Sequence, residues 1–466
     1  MIFSSTVFLL AFLPLTLLAY FLVPARFVTA RNVVLLIASL FFYGWGEPKY
    51  ILVMFFSIFF NYLLARWIEA SPSKGLLALT VVGNLAILGF FKYTDFLIST
   101  INGIFGGSIS LLHIALPIGI SFYTFQTMSY VIDVYRGKVK AQRDLVAFAT
   151  YVTLFPQLIA GPIVRYSDVA VQLKNRCSSM EQIAEGIRRF AAGFAKKVLL
   201  ANQVYIIWKE ISAMEAPSAA AAWLGAVAFT FQIYFDFSGY SDMAIGLGKI
   251  FGFDYLENFN YPYISKSITE FWRRWHMSLS SWFKEYVYIP LGGNRKGLPR
   301  QLLNIAVVWA LTGLWHGASW NFVAWGVYFG VILIIEKLFL LRILEKAPAF
   351  VSHLYALVLI VCGWVIFAIE DLGQVGTYFS MMFGASGHLT DDAFWYYLTS
   401  RIWLLAACVI GSTHLPSRIA ALLREKLASR EMLLGILESA GVLALMVFSI
   451  AFLVSGSYNP FLYFRF

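Results

Sequence analysis

The feature that most constrains this chain is a succession of apolar blocks separated by short polar connections. Only 13% of the 466 residues are charged, whereas an average soluble domain carries about 25%. The composition therefore excludes a water-soluble, disordered or disulfide-stapled protein. It predicts an all-α polytopic membrane protein, with about ten to twelve hydrophobic segments in one membrane domain over residues 1–466. The blocks lie at about 6–23, 32–45, 50–65, 76–91, 114–132, 145–164, 187–207, 220–249, 301–340, 351–369, 397–411 and 433–455.

Charge and cysteine content exclude several other classes of protein. The chain has 35 Lys and Arg against 25 Asp and Glu, but no basic run forms a separate soluble domain. The excess therefore indicates basic cytoplasmic loops rather than nucleic-acid binding. Cys177, Cys362 and Cys408 lie far apart, so neither a metal site nor a disulfide framework is predicted. Met1–Ser5 lack basic residues and no cleavage site follows, so block 6–23 is expected to be a retained first span.

Proline and glycine interrupt several blocks where a plain lipid-facing helix would continue. The breaks lie at Pro117, in "LFPQLIAGPI" (154–163) and in "FFYGWGEPKY" (41–50). Broken backbone at membrane depth is tolerated only where protein or a water-filled cavity satisfies its polar groups. The breaks therefore favour a bundle with an internal cavity.

Residues 265–300, which form what we call the interfacial segment, carry seven basic residues and two acids. This excess predicts a cytoplasmic position. At about 100° per residue, the segment also separates an apolar face from a face with Arg273 and Arg274, and His276 lies at the border. We expect a helix in the membrane interface, with its aromatic face toward lipid. The apolar face consists of Phe271, Trp272, Trp275, Leu279, Trp282, Phe283 and Tyr286.

Chemistry in this chain is most plausible at histidine. His316 lies in "LTGLWHGASW" (311–320), inside an apolar stretch and flanked by Gly313 and Gly317. An ionisable residue at membrane depth is costly and therefore indicates function. The sequence contains no GxSxG elbow, no phosphate-binding loop and no HExxH, which argues against a soluble-type hydrolase or an ATPase.

Two acids, Asp236 and Asp242, lie among aromatic residues and glycines in block 231–253. A carboxylate in such surroundings must be paired, hydrogen-bonded or protonated. Either a structural network with neighbouring hydroxyl groups or direct substrate contact satisfies that requirement, and both remain open.

Several long motifs resemble the membrane-bound O-acyltransferases, and within that family the bacterial group that O-acetylates alginate. The resemblance covers nearly the whole chain. Its motifs are "MIFSSTVFLLAFLPL" (1–15), "LPIGISFYTFQTMSYVIDVYRG" (116–137), "FPQLIAGPIVRY" (155–166), "YFDFSGYSDMAIGLG" (234–248), "ENFNYPYISKSITEFWRRWHMSLSSWFKEYVYIPLGGNR" (257–295), "LTGLWHGASWNFVAWGVYFG" (311–330) and "YNPFLYFRF" (458–466).

The resemblance implies a helical bundle around a central tunnel, with re-entrant or interfacial helices. It places the family's essential histidine at His316 and a second histidine at His276. No tightly bound cofactor is expected, and acetyl-CoA is the expected donor, its phosphates held by Arg273 and Arg274. The other residues expected to contact or orient the substrates are Asp236, Tyr240, Trp275 and Trp315.

The same resemblance implies a multi-pass protein of the bacterial inner membrane that acetylates an extracytoplasmic polysaccharide, most simply alginate. A periplasmic partner of the SGNH esterase type would complete the transfer, because this chain has no such block of its own. His316 would act as a general base or carry the acetyl group itself, and the sequence leaves both routes open.

Other functions stay possible on the sequence alone. Within the family, the acceptor could be peptidoglycan or cellulose, or the reaction could be D-alanyl transfer to teichoic acid or acylation of a protein. Outside it, a transporter would account for broken helices and buried acids but has no use for the interfacial segment. A non-catalytic scaffold of an exopolysaccharide system would tolerate the loss of His316.

Overall fold

The computed structural model describes residues 1–456, and these residues form helices and no strands. The all-α fold predicted from hydropathy is confirmed. The chain forms two compact units, one made of Met1–Phe190 and Tyr240–Leu256, the other of Ala191–Gly239 and the chain from Glu257 onward. The motif "YNPFLYFRF" lies outside the described residues.

Helices α1 to α9 belong to the first unit, although α9 continues into the second. Short π-helical or 3-10 turns precede α1 (Phe8–Phe12) and α3 (Pro48–Tyr50). The helices are α1 Leu13–Leu22, α2 Val28–Gly44, α3 Ile51–Ala70, α4 Lys74–Phe105, α5 Ile120–Tyr135, α6 Leu145–Thr153, α7 Phe155–Leu158, α8 Tyr166–Val169 and α9 Met180–Ala195.

Helices α10 to α22 belong to the second unit, except that α11 returns to the first unit from Tyr240. They are α10 Asn202–Ser212, α11 Ala219–Phe251, α12 Ile268–Arg274, α13 Met277–Phe283, α14 Leu298–His316, α15 Trp320–Ile335, α16 Leu341–Lys346, α17 Ala349–Ala368, α18 Leu372–Met382, α19 Asp392–Ser400, α20 Ile402–Gly411, α21 Leu415–Lys426 and α22 Glu431–Ser455. Further π-helical turns lie at Lys196–Ala201, Lys284–Tyr288 and Glu336–Leu340, and a 3-10 turn at Pro262–Ile264.

Five described helical stretches are long and apolar enough to cross a membrane, which makes this a multi-pass membrane protein. A sixth is obtained if α19 and α20, bent by 64°, form one broken span. The helices Phe8–Leu22 and Val28–Gly44 are apolar but shorter. The single domain with ten to twelve segments stays a prediction. The five stretches are Pro48–Ala70, Lys74–Phe105, Ala219–Phe251, Ala349–Ala368 and Glu431–Ser455.

The first unit is held together by α3 packing on α4 and α5, and by α2 packing on α6. Asn61 and Asn84 join α3 to α4 through two reciprocal amide hydrogen bonds of 3.0 and 2.8 Å. This pairing satisfies polar groups that would be costly to leave alone between apolar helices. The predicted breaks are present, since α2 ends at Gly44, α5 begins after Pro117 and the chain leaves helix beyond α7.

The second unit has a core of tryptophans contributed by α12, α14, α15 and α17. The ring of Trp272 lies 4.6 Å from that of Trp309 and 5.4 Å from that of Trp325. Trp275 lies 4.7 Å from Trp364. Large aromatic side chains packed edge to face bury much apolar surface and fix the relative positions of the helices that carry them.

The interfacial segment differs from the single amphipathic helix that was expected, and that expectation is wrong. The chain breaks at Trp275 and His276, where His276 adopts a left-handed conformation with φ 45° between α12 and α13. Its aromatic face is buried against protein instead of facing lipid, as in the packing of Trp272 and Trp275. An apolar face is covered equally well by lipid or by protein, so amphipathicity alone does not distinguish the two.

Candidate active site

His316 is positioned by a tight hairpin of α14 and α15, which are joined by residues 317–319. The two helices approach closely at Gly313 and Gly326. A Cβ on Gly313 would overlap the carbonyl oxygen of Phe322, and one on Gly326 would overlap that of Trp309. Only glycine permits this approach. The hairpin brings the last residue of α14, His316, into the interior, where it is 4% exposed.

Three aromatic rings surround the imidazole of His316. Trp315 and Trp325 each lie 5.0 Å from it between ring centres, and Phe367 lies at 5.4 Å, all nearly perpendicular to it. Edge-to-face packing of this kind restricts the orientation of the ring. His316 is thus presented in a fixed direction rather than on a mobile loop.

His276 is the second buried histidine of this unit and is 1% exposed. Its Nδ1 lies 3.0 Å from Oδ1 of Asn258, and the ring packs edge to face on Phe237 at 4.7 Å. His276 lies outside the membrane-spanning helices, and burial lowers its pKa to about 3, because the charged imidazolium is poorly solvated there. The ring is therefore neutral at physiological pH.

Both histidines line one cavity of about 340 Å³. The two histidines lie 40 positions apart in the chain, and the fold brings them to the same space. The walls are mostly aromatic and aliphatic, with a few polar and basic groups, a composition typical of small-molecule sites. The lining residues are Thr269, Trp272, Arg273, His276, Leu279, Ser280, Phe283, Lys284, Tyr288, Ile305, Val308, Trp309, Thr312, His316 and Leu333.

A second, more polar cavity of about 740 Å³ shares Arg273 and Thr269 with the first. Lys266 and Arg274 add two further cations to its wall, against the acids Glu270 and Glu345. The two cavities together combine a basic compartment with an apolar one that contains the histidines.

The two predicted arginines are not equivalent. Arg274 forms an ion pair with Glu270 at 2.9 Å and donates a hydrogen bond to the carbonyl of Asn260. Arg273 is exposed, lines both cavities and forms no ion pair within the described residues. Arg273 is therefore the cation more available to a ligand.

The other predicted site residues of the second unit are not among the residues that line the cavity. Trp315 contacts both histidine rings, at 5.0 Å from His316 and 5.9 Å from His276. Trp275 packs on Trp364 in the tryptophan core. Asp236 forms a buried ion pair of 2.5 Å with Lys197, which supplies the partner that its burial demands.

The remaining predicted residues belong to the first unit. Tyr240 is buried and its ring stacks on that of Phe3 at 4.4 Å. Asp242 pairs with Arg189 at 2.9 Å. Functional roles for Asp236 and Tyr240 stay predictions. Within residues 1–456, no group of three or more His, Cys, Asp or Glu side chains is arranged to hold a metal ion.

Glu336 was not among the residues predicted from the sequence, yet it is 1% exposed and fixes the start of α12. Its carboxylate accepts hydrogen bonds from the backbone N–H of Ile268 at 2.7 Å and of Thr269 at 2.8 Å, and from the Thr269 hydroxyl at 2.6 Å. Tyr355 donates a fourth at 3.2 Å. The rule that pointed to His316, an ionisable residue bordering an apolar stretch, would also have found Glu336.

Comparison with known proteins places these residues in a family. The family model described as MBOAT, membrane-bound O-acyltransferase family, matches residues 140–370, which include both cavity histidines. A probable alginate O-acetylase AlgI of Pseudomonas putida is 40% identical over 488 residues, covering 100% of both chains. A probable alginate O-acetylase AlgI of Azotobacter vinelandii is 44% identical, covering 88% of this chain and 84% of that protein.

A more distant relative has a different named activity. The peptidoglycan O-acetyltransferase of Helicobacter pylori is 35% identical over 84% of this chain and 82% of its own length. These three relatives thus share O-acetyl transfer in their names but differ in the acceptor.

Proposed function

The chain belongs to the membrane-bound O-acyltransferase family, and on that premise we propose that it moves an acetyl group from cytoplasmic acetyl-CoA to hydroxyl groups of an extracytoplasmic polysaccharide. As a member of this family it is an acyltransferase. The single observation that carries the proposed reaction is the cavity lined by both His276 and His316. A scaffold or a transporter has no need of two imidazoles in one aromatic-walled space.

The two cavities suit the two parts of acetyl-CoA. The nucleotide and its phosphates would lie in the basic compartment, near Lys266 and Arg273. The uncharged pantetheine arm and the acetyl thioester would pass Arg273 and Thr269 into the apolar cavity. This arrangement keeps the charged part of the donor near solvent and brings its reactive end to the histidines.

In the direct route, the imidazole of His316 removes the proton from an acceptor hydroxyl. The hydroxyl oxygen then attacks the thioester carbonyl carbon, the C–S bond breaks, and the departing thiolate of CoA takes the proton. In the covalent route, an imidazole nitrogen attacks the carbonyl carbon first, the C–S bond breaks, and the thiolate leaves. The acceptor hydroxyl oxygen then attacks the acetyl carbon on the ring, the C–N bond breaks, and the hydroxyl proton ends on the CoA thiolate. Both routes use the same residue and the same cavity.

The acceptor that we propose is alginate or a similar exopolysaccharide, because relatives that match most of this chain are named alginate O-acetylases. Peptidoglycan is the second candidate, from the name of the Helicobacter relative. A periplasmic SGNH-type protein would complete the transfer. In this proposal the protein lies in the bacterial inner membrane, surrounded by lipid, with no nucleic-acid partner and no tightly bound cofactor.

Radiolabelled acetyl-CoA tests the proposed reaction directly. Membranes from cells that produce this protein and its polysaccharide should incorporate label into the polymer as base-labile esters, and membranes from cells without the protein should not. Purifying alginate and peptidoglycan separately from the same sample identifies the acceptor. Equal labelling with and without the protein would refute the proposal.

Arg273→Ala should raise the KM for acetyl-CoA about tenfold, which corresponds to the loss of one charged phosphate contact of about 1.4 kcal/mol. The kcat should change less than about twofold, because a phosphate contact is equally strong in the ground and transition states. Arg274→Ala is the matched control. Its guanidinium is already bound to Glu270, so its KM should stay near the parental value. Initial rates at several acetyl-CoA concentrations measure both constants, and an unchanged KM for Arg273→Ala would assign that residue to structure or to lipid headgroups.

The interfacial segment should face the cytoplasm. In a background with the three native cysteines replaced by serine, a cysteine at the exposed Lys296 should react with a membrane-impermeant maleimide only after the inner membrane is permeabilised. Labelling of intact spheroplasts would reverse the orientation, and with it the side from which the donor enters.

A further inference from the structure

We infer that Asn258 is a positioning residue that fixes the tautomer of His276 and so presents the lone pair on His276 Nε2 to a hydrogen-bond donor of the substrates bound beside His316. This inference rests on the proposed function, since it assigns a role within the same cavity. Asn258 does not touch the cavity; it acts through His276. Its side chain is 1% exposed and lies 18 positions before the histidine.

The identity of the Asn258 atom that faces His276 follows from its other contacts. Oδ1 accepts hydrogen bonds from the backbone N–H of Ser278 at 3.3 Å and from the Ser278 hydroxyl at 2.9 Å. A flipped amide would place an NH₂ group against that backbone N–H, so the atom must be oxygen. An oxygen accepts and does not donate. The Nδ1 of His276, 3.0 Å away, must therefore carry the proton.

A neutral imidazole has one protonated nitrogen, so a proton on Nδ1 leaves the lone pair on Nε2. This Nε2 is buried and makes no hydrogen bond within residues 1–456. Buried polar atoms are normally paired, and this atom belongs to a ring that lines the cavity. The lone pair on Nε2 can therefore accept a hydrogen bond from a donor group of the substrates.

The backbone around His276 is built to hold the ring in this orientation. The residue adopts φ 45° and ψ 55°, a left-handed conformation that is unfavourable for a side chain other than glycine. The carbonyl of Asn258 accepts a hydrogen bond from the N–H of Met277 at 2.9 Å, next to the Ser278 contacts. Asn258 thus binds the chain immediately after His276 through both its backbone and its side chain, and the strained conformation is maintained where it directs the ring into the cavity.

The pKa of His276, lowered by burial to about 3, supports this role, because the ring is then neutral near pH 7 and keeps its lone pair. The other titratable or charged groups that line the same cavity are Arg273, Lys284, Tyr288 and His316.

The test combines two Asn258 variants of the full-length protein with nitrogen NMR of histidine-labelled enzyme, in which the His276 signal is identified by its loss in His276→Gln. Asn258→Leu removes the acceptor, so the preference for a proton on Nδ1 should disappear. We expect kcat to fall about 10- to 100-fold, the size of effect known for partners that orient metal-bound histidines. The KM for acetyl-CoA should stay within about twofold. Ser278→Ala is the matched control. It removes a hydroxyl that donates to Asn258 Oδ1 and lies 3.4 Å from His276 Nδ1, and it keeps the 3.0 Å contact between Asn258 and His276, so it should keep the tautomer.

Asn258→Asp keeps the acceptor and the shape of the side chain, and so provides a test even where Asn258→Leu folds poorly. Its carboxylate should stabilise the imidazolium and raise the pKa of His276 by about 1–3 units. The kcat should then fall as pH is lowered through the new titration of His276. Activity that stays parental while His276 becomes protonated would overturn the inference, as would an unchanged tautomer in a folded Asn258→Leu. If His316→Gln were active as well, the proposed function itself would fail; parental behaviour of the Asn258 variants alone refutes only the role of Asn258.

Discussion

His316→Gln should insert and melt like the parent protein and transfer no measurable acetyl group to polymer. Glutamine fits beside the aromatic rings that hold the imidazole, but it neither accepts a proton near neutral pH nor carries an acyl group. General acid–base catalysis supplies about 10²- to 10⁴-fold in rate, so loss of the ring should remove nearly all activity. Ester-linked acetate in purified polymer measures the result in cells, and label from acetyl-CoA measures it in membranes.

Two comparisons make this result specific. His388 is exposed, so His388→Gln should acetylate like the parent, whereas His276→Ala should lose less activity than His316→Gln. If His316→Gln kept more than about a tenth of parental acetylation, the loss of about 1.4 kcal/mol in transition-state stabilisation would be too small for a catalytic base. A non-catalytic scaffold would then be the better description of this chain.

Glu336→Ala should strongly destabilise the second unit. The carboxylate accepts two backbone N–H groups and a hydroxyl at the start of α12. Removing it leaves those donors buried without an acceptor, which costs about 1–3 kcal/mol for each group. We expect low yield, a lowered melting temperature of the detergent-solubilised protein and loss of acetyl transfer, because α12 carries Arg273 and leads to His276.

Glu336→Gln and Tyr355→Phe separate the contribution of the Glu336 contacts at the start of α12 from that of its contact with Tyr355. Glutamine has a single oxygen, and its NH₂ group faces donors, so Glu336→Gln should also melt at a lower temperature. Tyr355→Phe removes only the 3.2 Å bond to the same carboxylate and should melt near the parent. Equal melting temperatures for Glu336→Ala and Tyr355→Phe would show that the contacts at the start of α12 contribute little.

The fold class followed from hydropathy because a scarcity of charge leaves few alternatives to membrane helices. The conformation of the interfacial segment did not follow. The residues around His276 include no glycine or proline to mark a break, and the left-handed conformation there is stabilised by Asn258, whose contact forms only in the fold. Whether Trp272 and Trp275 face lipid or protein was likewise undetermined, since both surroundings are apolar.

The candidate site, like the fold, could be predicted only in part from the sequence. His316 stood out because an ionisable group in an apolar stretch is costly, and Arg273 because of the basic excess in its segment. Asn258 carries no charge and gives no such signal. The partner of Asp236 is Lys197, which lies 39 positions earlier in the chain, in the π-helical turn Lys196–Ala201. Contacts of this kind depend on how the helices pack, and periodicity along one segment does not encode them.

The close approach of α14 and α15 at Gly313 and Gly326 links the position of His316 to that of Glu336. One arm ends at His316 and the other continues directly into Glu336, which holds the start of the helix bearing Arg273. We therefore expect a distortion of the hairpin to displace the imidazole of His316 and the guanidinium of Arg273 together. Substitutions on these two helices far from the cavity should alter kcat and KM together. Kinetic defects of such variants would then reflect the geometry of the hairpin rather than the chemistry of the altered side chain.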